Sequence, residues 1–447
     1  MIVKKMKTKM LLVVVLVSIL PFKALQAQDT LTVSLPKALE IALSDNPTIK
    51  VSDMEIQRID YSKKEKFAAL YPTISASGSY QRAIKKQKVF FTIPGMPPNP
   101  DGFEMGQDNT INAGLSASLP IISPTLWASL AMTETDLQLT LETARSSKIA
   151  LINQVTKAYY AILLTQDQYA VVKKSHQNVS ENARIIYNKY KQGAVSEFEW
   201  IRADVQVKNA AANLVSTQSA VNMSILQLKM LLGMDMFTGL KVEGSLSDLE
   251  KNMYGDVLSI DTTSLNSNTD LMQFDLKAKQ LDHALKMQKA GWWPTLAASF
   301  NYMYMSMGND GTPLNWFPAS TAAIQLNIPI FQGGARIYKE KQLKIQINEL
   351  SLQRDNLRRG LEFQTITCLD NIKKSMEKIA SNKDGLRQAE KAVSISKKLY
   401  EVGSATYLDL SNAEVSYIQA GLMYNQSIFD YLSAKSDLEK LLGNNTK

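Results

Sequence analysis

The second half of this 447-residue chain repeats its first half, segment by segment, at nearly constant offsets. The segment Asn46–Tyr80 aligns without a gap on Asn268–Tyr302, 222 positions later. Three shorter motifs recur 209 or 210 positions later: Leu119–Ile121 at Ile328–Ile330, Tyr190–Gly193 at Tyr400–Gly403, and Leu231–Gly233 at Leu441–Gly443. A unit of this size that is built twice indicates a structure that one copy cannot complete alone.

Residues 1–27 have the pattern of a secretory signal peptide. Four lysines precede the apolar run Leu11–Leu20, and Ala24–Ala27 offers a cleavage site with small residues. The alternative is a retained N-terminal anchor, but the apolar run is shorter than a membrane span. Removing residues 1–27 takes away five lysines and no acid, so the formal charge falls from +8 to +3. No basic stripe remains that would indicate nucleic acid as a partner.

Two segments in each half alternate apolar residues with small polar ones. The alternation predicts strands at about 72–91 and 109–122, and again at about 294–306 and 318–331. One apolar face over about ten residues is typical of an outer-membrane strand, although a soluble sandwich can show the same pattern. After the signal, no run of 18 apolar residues occurs, so no membrane helix is predicted.

Aromatic residues near the strand ends favour the membrane interpretation, because a bilayer selects aromatic belts at its two interfaces. They are Tyr71, Trp127, Trp292, Trp293, Trp316 and Phe317. Four prolines, Pro72, Pro120, Pro294 and Pro329, are expected at junctions between strands and helices. The loops that close the two strand hairpins, 82–108 and 307–315, are rich in turn-forming residues.

The rest of the chain is predicted to be mostly helical. Helices are expected at about 124–190, 197–232, 334–399 and 406–442, with tight turns at Gly193 and Gly403. Runs of some 65 residues correspond to about 95 Å of helix, and leucines at spacings of four, three and seven predict coiled-coil packing. The predicted order is a first repeat (28–232), a connecting region with little regular structure (233–267) and a second repeat (268–447).

Four membrane strands cannot close a barrel, because the smallest natural barrels have about eight strands. Unpaired backbone groups at an open edge in lipid cost several kcal/mol each. The chain is therefore expected to oligomerise. Three copies would supply twelve strands, whereas two would leave hardly any lumen.

The chain resembles the TolC-like outer membrane factors, also called outer membrane efflux proteins. The resemblance rests on the order and duplication of motifs that are individually weak. They are SLPKALEIALSDNP at Ser34–Pro47, Tyr-Pro-Thr and Trp-Pro-Thr at the strand entries, Leu-Pro-Ile and Ile-Pro-Ile at the exits, the two Tyr-x-x-Gly tips, and the Leu-Leu-Gly ends.

This resemblance implies a mainly α-helical protein with a membrane β-barrel portion. It implies a homotrimer with a 12-stranded barrel in the outer membrane of a Gram-negative bacterium and a long α-helical tunnel in the periplasm. Such a channel is the passive exit duct of a tripartite efflux pump or type I secretion system. The implied partners are a periplasmic adaptor (membrane fusion) protein, an inner-membrane transporter of RND or ABC type, and outer membrane lipid. The resemblance does not identify the exported substrate.

The resemblance also marks gate candidates at the helix tips. Asp409 and Glu199 match the acids that form constriction rings, where like charges would raise the pKa values of the carboxyls. The alternative is an ordinary helix N-terminus, where acids are favoured anyway. Tyr400 matches a tip tyrosine that holds the closed state, with Glu199 as its expected acceptor. The second acid of the family pattern is replaced by Asn412 and Arg202, and a basic residue by Ala405.

No catalytic constellation appears in the sequence. His176 and His283 are isolated, and Cys368 is the only cysteine, so neither an enzyme, a cofactor nor a metal site is expected. The alternative function is a periplasmic coiled-coil structural or adaptor protein that does not span the membrane. Phage reception through the loop 82–108 is compatible with the channel.

Overall fold

The structure is a computed structural model that describes residues 31–91, 95, 100–251, 253, 265–313 and 315–443. The predicted signal peptide, 1–27, lies outside the described residues. The chain divides into two compact units. We call the first the helix unit, drawn from 1–50, 148–264 and 364–447, and the second the sheet unit, drawn from 51–147 and 265–363.

The described residues form eight helices and eight strands. In chain order they are β1 (Leu31–Val33), α1 (Leu35–Asp45), α2 (Pro47–Ala68), β2 (Thr73–Arg82), β3 (Gln87–Val89), β4 (Phe103–Met105), β5 (Asn109–Ile122), α3 (Pro124–Lys191), α4 (Glu197–Leu232), β6 (Leu240–Val242), α5 (Leu246–Glu250), α6 (Thr269–Ala290), β7 (Thr295–Gly308), β8 (Asn315–Asn327), α7 (Ala335–Glu401) and α8 (Tyr407–Leu442).

The sheet unit contains one antiparallel four-stranded sheet in the order β2-β5-β7-β8. Each repeat supplies one hairpin, and β5 pairs with β7 to join them over a long register that begins at Asn109↔Gly308. Cross-strand partners sort the alternating residues onto two faces. The apolar face carries Ile74, Tyr80, Leu115, Ala117, Phe300, Tyr302, Ala322 and Ile324, and the other carries Ser75, Ser77, Ser116, Ser118, Ser299, Asn301 and Thr321.

The first strand is shorter than expected, because β2 ends at Arg82 instead of continuing to about 91. The chain then enters a small separate hairpin of β3 and β4 within the predicted loop. Ion pairs hold its base to the sheet end: Lys86 Nζ lies 3.0 Å from the Asp108 carboxylate, and Arg82 lies 2.7 Å from that of Asp310. The alternation of residues along a strand does not reveal such ion pairs, because their members lie far apart in the sequence.

One of the four prolines is misplaced in the sequence interpretation. Pro72 and Pro294 directly precede β2 and β7, and Pro329 lies just beyond the end of β8. Pro120 instead lies inside β5, where the register with β7 shifts between Pro120 and Ile122. Proline has no N–H to donate, so a β-bulge accommodates it within the strand. The junction itself lies at Pro124, the first residue of α3.

The four long helices begin and end within two residues of the expected positions. On α8, buried residues recur at intervals of three and four, namely Tyr407, Leu410, Glu414, Tyr417, Gly421, Tyr424, Ile428 and Tyr431. This is the heptad seam of a coiled coil. In the part of the chain that the structure describes, no helix combines the length and the apolar character needed to cross a membrane.

The connecting region contains more regular structure than predicted. β6 pairs in parallel with β1, and α5 follows it. Tertiary contacts hold this segment: the Leu246 N–H donates to the Asp167 carboxylate at 2.9 Å. Glu250 accepts a hydrogen bond from the Tyr424 hydroxyl at 2.7 Å and pairs with Lys383. Because long-range partners stabilise it, local composition alone predicted a loop.

Candidate functional site at the helix tips

Two tight turns end α3 and α7 at the predicted glycines. Gly193 has φ 71° and Gly403 has φ 77°, in the left-handed region that favours glycine. In the first turn, the N–H of Ala194 donates to the carbonyl of Lys189 at 2.9 Å. In the second, Ser404 N–H donates to Leu399 at 2.8 Å. These bonds satisfy the last carbonyls of each helix and send the chain back into α4 and α8.

Asp409 belongs to the N-terminal cap of α8. The Thr406 hydroxyl and the Thr406 N–H both donate to its carboxylate, at 2.6 Å and 2.9 Å, while the Asp409 N–H donates to the Thr406 hydroxyl oxygen at 3.2 Å. This reciprocal pair is a capping box. The hydrogen bonds from Thr406 lower the pKa of Asp409 below its usual value. Within one chain the direction is therefore opposite to the one expected for a ring of like charges.

Glu199 occupies the matching position at the start of α4, but with a simpler cap. Its N–H donates to the Ser196 hydroxyl oxygen at 3.3 Å, and the side chain is partly buried. The two predicted acids thus occupy corresponding first turns. The local geometry accounts for both as helix-start residues.

Tyr400 lies in the core of the tip and not at its surface. A buried cluster joins Ile186, Ala203, Tyr400, Tyr407 and Leu410, so it includes residues of α3, α4, α7 and α8. The Tyr400 and Tyr407 rings meet edge to face with centroids 6.2 Å apart. The Lys189 ammonium lies 4.6 Å from the Tyr400 ring centroid, in cation–π range.

The expected hydrogen bond from Tyr400 to Glu199 is absent within the described chain. The Tyr400 hydroxyl is buried and has no hydrogen-bond partner there. Burial, reinforced by the charge of Glu199, raises the pKa of this phenol. The ring packing orients the side chain by its apolar contacts, which leaves the hydroxyl available as a donor.

Sequence reasoning missed a buried polar pair beside this cluster. The Asn182 side-chain amide on α3 donates to the Glu414 carboxylate on α8 at 2.7 Å, and the two residues are only 4% and 5% exposed. Burial raises the pKa of Glu414 to about 7. The sequence did contain a signal for this pair, because both residues occupy heptad-seam positions where apolar side chains are expected.

Across the described ranges, no cluster of three or more His, Cys, Asp or Glu side chains could hold a metal ion. The tips provide a tightly packed end for four helices, with Asp409 and Glu199 in the first turns of α8 and α4 and the unpartnered Tyr400 hydroxyl in the buried cluster.

A sheet with one apolar face and long helical hairpins are the elements expected of an outer membrane export channel. The crystal structure of the Campylobacter jejuni CmeC outer membrane channel superposes on 92% of this chain and 85% of that one, with a TM-score of 0.75 at 17% identity. The fold is therefore that of a TolC-like channel.

A sequence model of the outer membrane efflux protein family matches residues 38–234 and 262–444, and the chain belongs to this family. "Probable efflux pump outer membrane protein TtgC" of Pseudomonas putida is 20% identical over 434 residues, covering 92% of this chain and 83% of that protein. "Alkaline protease secretion protein AprF" of Pseudomonas aeruginosa is 20% identical over 303 residues. That match covers 68% of this chain and 63% of AprF, less than two thirds of its length.

Proposed function

We propose that this protein is a homotrimeric, non-enzymatic exit duct in the outer membrane of a Gram-negative bacterium. The observation that carries the proposal is the four-stranded sheet, in which β2 and β8 each have one neighbour among the described strands. Its apolar face is open: Ile74 and Ile324 are 73% and 74% exposed, and Leu115 is 54% exposed. A soluble protein rarely leaves so continuous an apolar surface uncovered.

Lipid and further copies of the chain satisfy both features. Lipid covers the apolar face, and the edge strands of neighbouring copies supply the missing backbone hydrogen bonds. Three copies of a four-stranded sheet give a barrel of twelve strands, an even number within the known range. The long hairpins α3–α4 and α7–α8 form the periplasmic part of the proposed duct.

The helix tips are the proposed gate. In a trimer, three copies of Asp409 and three of Glu199 would form acidic rings that attract cations. In this proposal the local cap holds each Asp409 carboxylate ionised at neutral pH, which favours cation binding. Tyr400 contributes a buried hydroxyl without a partner among the described residues, available to a neighbouring hairpin in the closed state.

The partners proposed are a periplasmic adaptor protein and an inner-membrane transporter of RND or ABC type. The names of TtgC and AprF support efflux and protein secretion respectively, and both routes use an outer membrane exit. A passive duct needs no catalytic group, because the energy comes from the transporter.

Assembly is tested by fractionating membranes of cells that express the full chain, cross-linking the protein in place, and recording conductance in planar bilayers. We expect the protein in the outer membrane, cross-linked as a trimer, with channel activity. A monomer recovered entirely from the periplasm would refute the channel and favour the coiled-coil adaptor.

The acidic ring is tested separately with Asp409→Ala in planar bilayers. We expect divalent or trivalent cations to block the variant at least tenfold less well, since each trimer loses three carboxylates. Asp384→Ala, which removes an exposed acid on α7 away from the tip, is the matched control and should keep the wild-type block. An unchanged block in Asp409→Ala would remove this residue from the gate.

A further inference from the structure

The buried pair of Asn182 and Glu414 connects the two helical hairpins of one chain. Asn182 belongs to α3 of the first hairpin and Glu414 to α8 of the second, and their hydrogen bond of 2.7 Å is the polar contact in an otherwise apolar part of the seam. Its neighbours along the seams are Val179 and Ile186 on α3, and Leu410 and Tyr417 on α8. A carboxyl in such surroundings loses most of its hydration when the helices pack.

Few nearby charges compensate for the lost hydration of the Glu414 carboxyl. Desolvation raises the pKa of Glu414 to about 7, while the Asn182 hydrogen bond and the charge of Lys397 on α7 act in the opposite direction. Lys397 is itself shared, because its ammonium lies 3.6 Å from the Glu181 carboxylate on α3. On α8, Tyr407 interacts with Glu414, and on α4 the charge of Arg202 acts on Tyr407.

A cavity adjoins the buried carboxyl. It has a volume of about 320 Å³ and lies between α3, α4 and α8, with Glu414 in its wall beside the amides of Gln206 and Asn209. Ser175 also lines the cavity, and its buried hydroxyl has no partner among the described groups. The closed packing therefore leaves two buried polar groups at the edge of space that water can enter once the helices move.

We propose that Glu414 is a proton-responsive latch between the two hairpins: its neutral form keeps α3 packed on α8, and its ionised form favours their separation. The latch rests on the proposed gating at the tips, because it acts on the helices that form them. It adds a control within each chain that is distinct from rings or links between chains.

The sign follows from the two environments. The pKa is about 7 when the carboxyl is buried and about 4.3 when water reaches it. The closed packing is therefore fully favoured below pH 4.3, loses stability as the pH rises, and reaches its weakest level above pH 7. From pH 6 to pH 8 the ratio of separated to packed tips should rise about tenfold.

The test measures the distance between α3 and α8 in the full-length, detergent-purified protein. Nitroxide labels at Arg184 and Asn412, both exposed and near the pair, report that distance by pulsed electron resonance in a Cys368→Ser background. Labelled chains are diluted with unlabelled ones so that distances within one chain dominate. We expect the ratio of the longer-distance to the shorter-distance population to grow about tenfold from pH 6 to pH 8.

Variants separate the latch from general pH effects. Glu414→Gln stays neutral and keeps an acceptor for Asn182, so its distances should stay short across the range. Asn182→Ala removes a group that favours the carboxylate, so the transition should move to higher pH. Glu401→Gln, which alters an exposed tip acid, is the matched control and should behave like the wild type.

Distances that do not change with pH, or a Glu414→Gln response equal to the wild type, would overturn the latch. The second result would mean that water entering the cavity solvates the carboxylate in place while another group moves the helices. Conductance in planar bilayers distinguishes the two proposals: without channels the duct is refuted, whereas channels combined with fixed distances refute only the latch.

Discussion

The Tyr400 hydroxyl has no hydrogen-bond partner among the described residues, so its removal should change the free energy of unfolding in an unusual direction. In Tyr400→Phe the ring keeps its contacts with Tyr407 and Lys189, and only the buried hydroxyl is lost. A buried polar group without a hydrogen bond costs about 1–3 kcal/mol. With this buried hydroxyl not engaged by a neighbouring hairpin, we therefore expect the free energy of unfolding of Tyr400→Phe to stay equal or to rise by about 1 kcal/mol, at the low end of that range.

A second tyrosine of the helix unit provides the matched control. Tyr431 is fully buried, and its hydroxyl donates to the backbone carbonyl of Met253 at 2.8 Å. Tyr431→Phe removes this bond and leaves the carbonyl without that donor, so it should destabilise the protein by about 1–3 kcal/mol. The two variants make the same chemical change and differ only in whether the hydroxyl has a partner.

The measurement is guanidinium unfolding of both variants in the same detergent, followed by far-ultraviolet circular dichroism. Equal losses of stability would refute the reasoning for Tyr400. That outcome would support the bond to a neighbouring hairpin that we propose for the closed state. A parallel conductance record would then decide whether the lost bond also opens the channel.

Two further predictions concern the start of α8. Leu410→Ala removes a fully buried side chain of the tip cluster and should lower the free energy of unfolding by about 2–5 kcal/mol. Leu408→Ala, at a position 43% exposed, is the control and should lower it by less than about 1 kcal/mol. Equal losses in the two variants would contradict the assigned core. Thr406→Ala breaks the capping box, should cost about 1 kcal/mol and should speed amide exchange at 407–410. Because the pKa of Asp409 is lowered in the folded protein, the wild-type cap should keep its full stability down to the usual carboxyl pKa. It should be lost as the pH falls further, through the folded pKa. If amide exchange at 407–410 in Thr406→Ala matched the wild type at pH 7, the cap would be contradicted.

Features that depend on local pattern were predictable from the sequence. Alternation of side chains gave strands whose residues sort onto an apolar and a polar face, because a strand has a period of two whatever its partners. Gly193 and Gly403 were found because a helix that reverses direction needs a left-handed residue.

Features that depend on distant partners were not predictable in the same way. Pro120 suggested a junction between strand and helix, yet it lies within β5, where a bulge opposite β7 accommodates it. The segment 240–250 suggested a loop, yet β1, Asp167 and Tyr424 hold it in regular structure. Glu414 was overlooked because its burial depends on α3, which lies more than 200 positions earlier in the chain. A polar residue that interrupts a heptad seam was the available clue.

The parallel pairing of β1 with β6 has a consequence for the order of assembly. Leu31 pairs with Leu240, so the first described strand cannot find its place until more than half of the chain has emerged. Closing so long a loop is slow, and the waiting segment exposes unpaired backbone. The same holds for β5, which needs β7 from the second half. Neither repeat is therefore a folding unit by itself, and a fragment that ends near residue 232 should depend on chaperones to stay unaggregated.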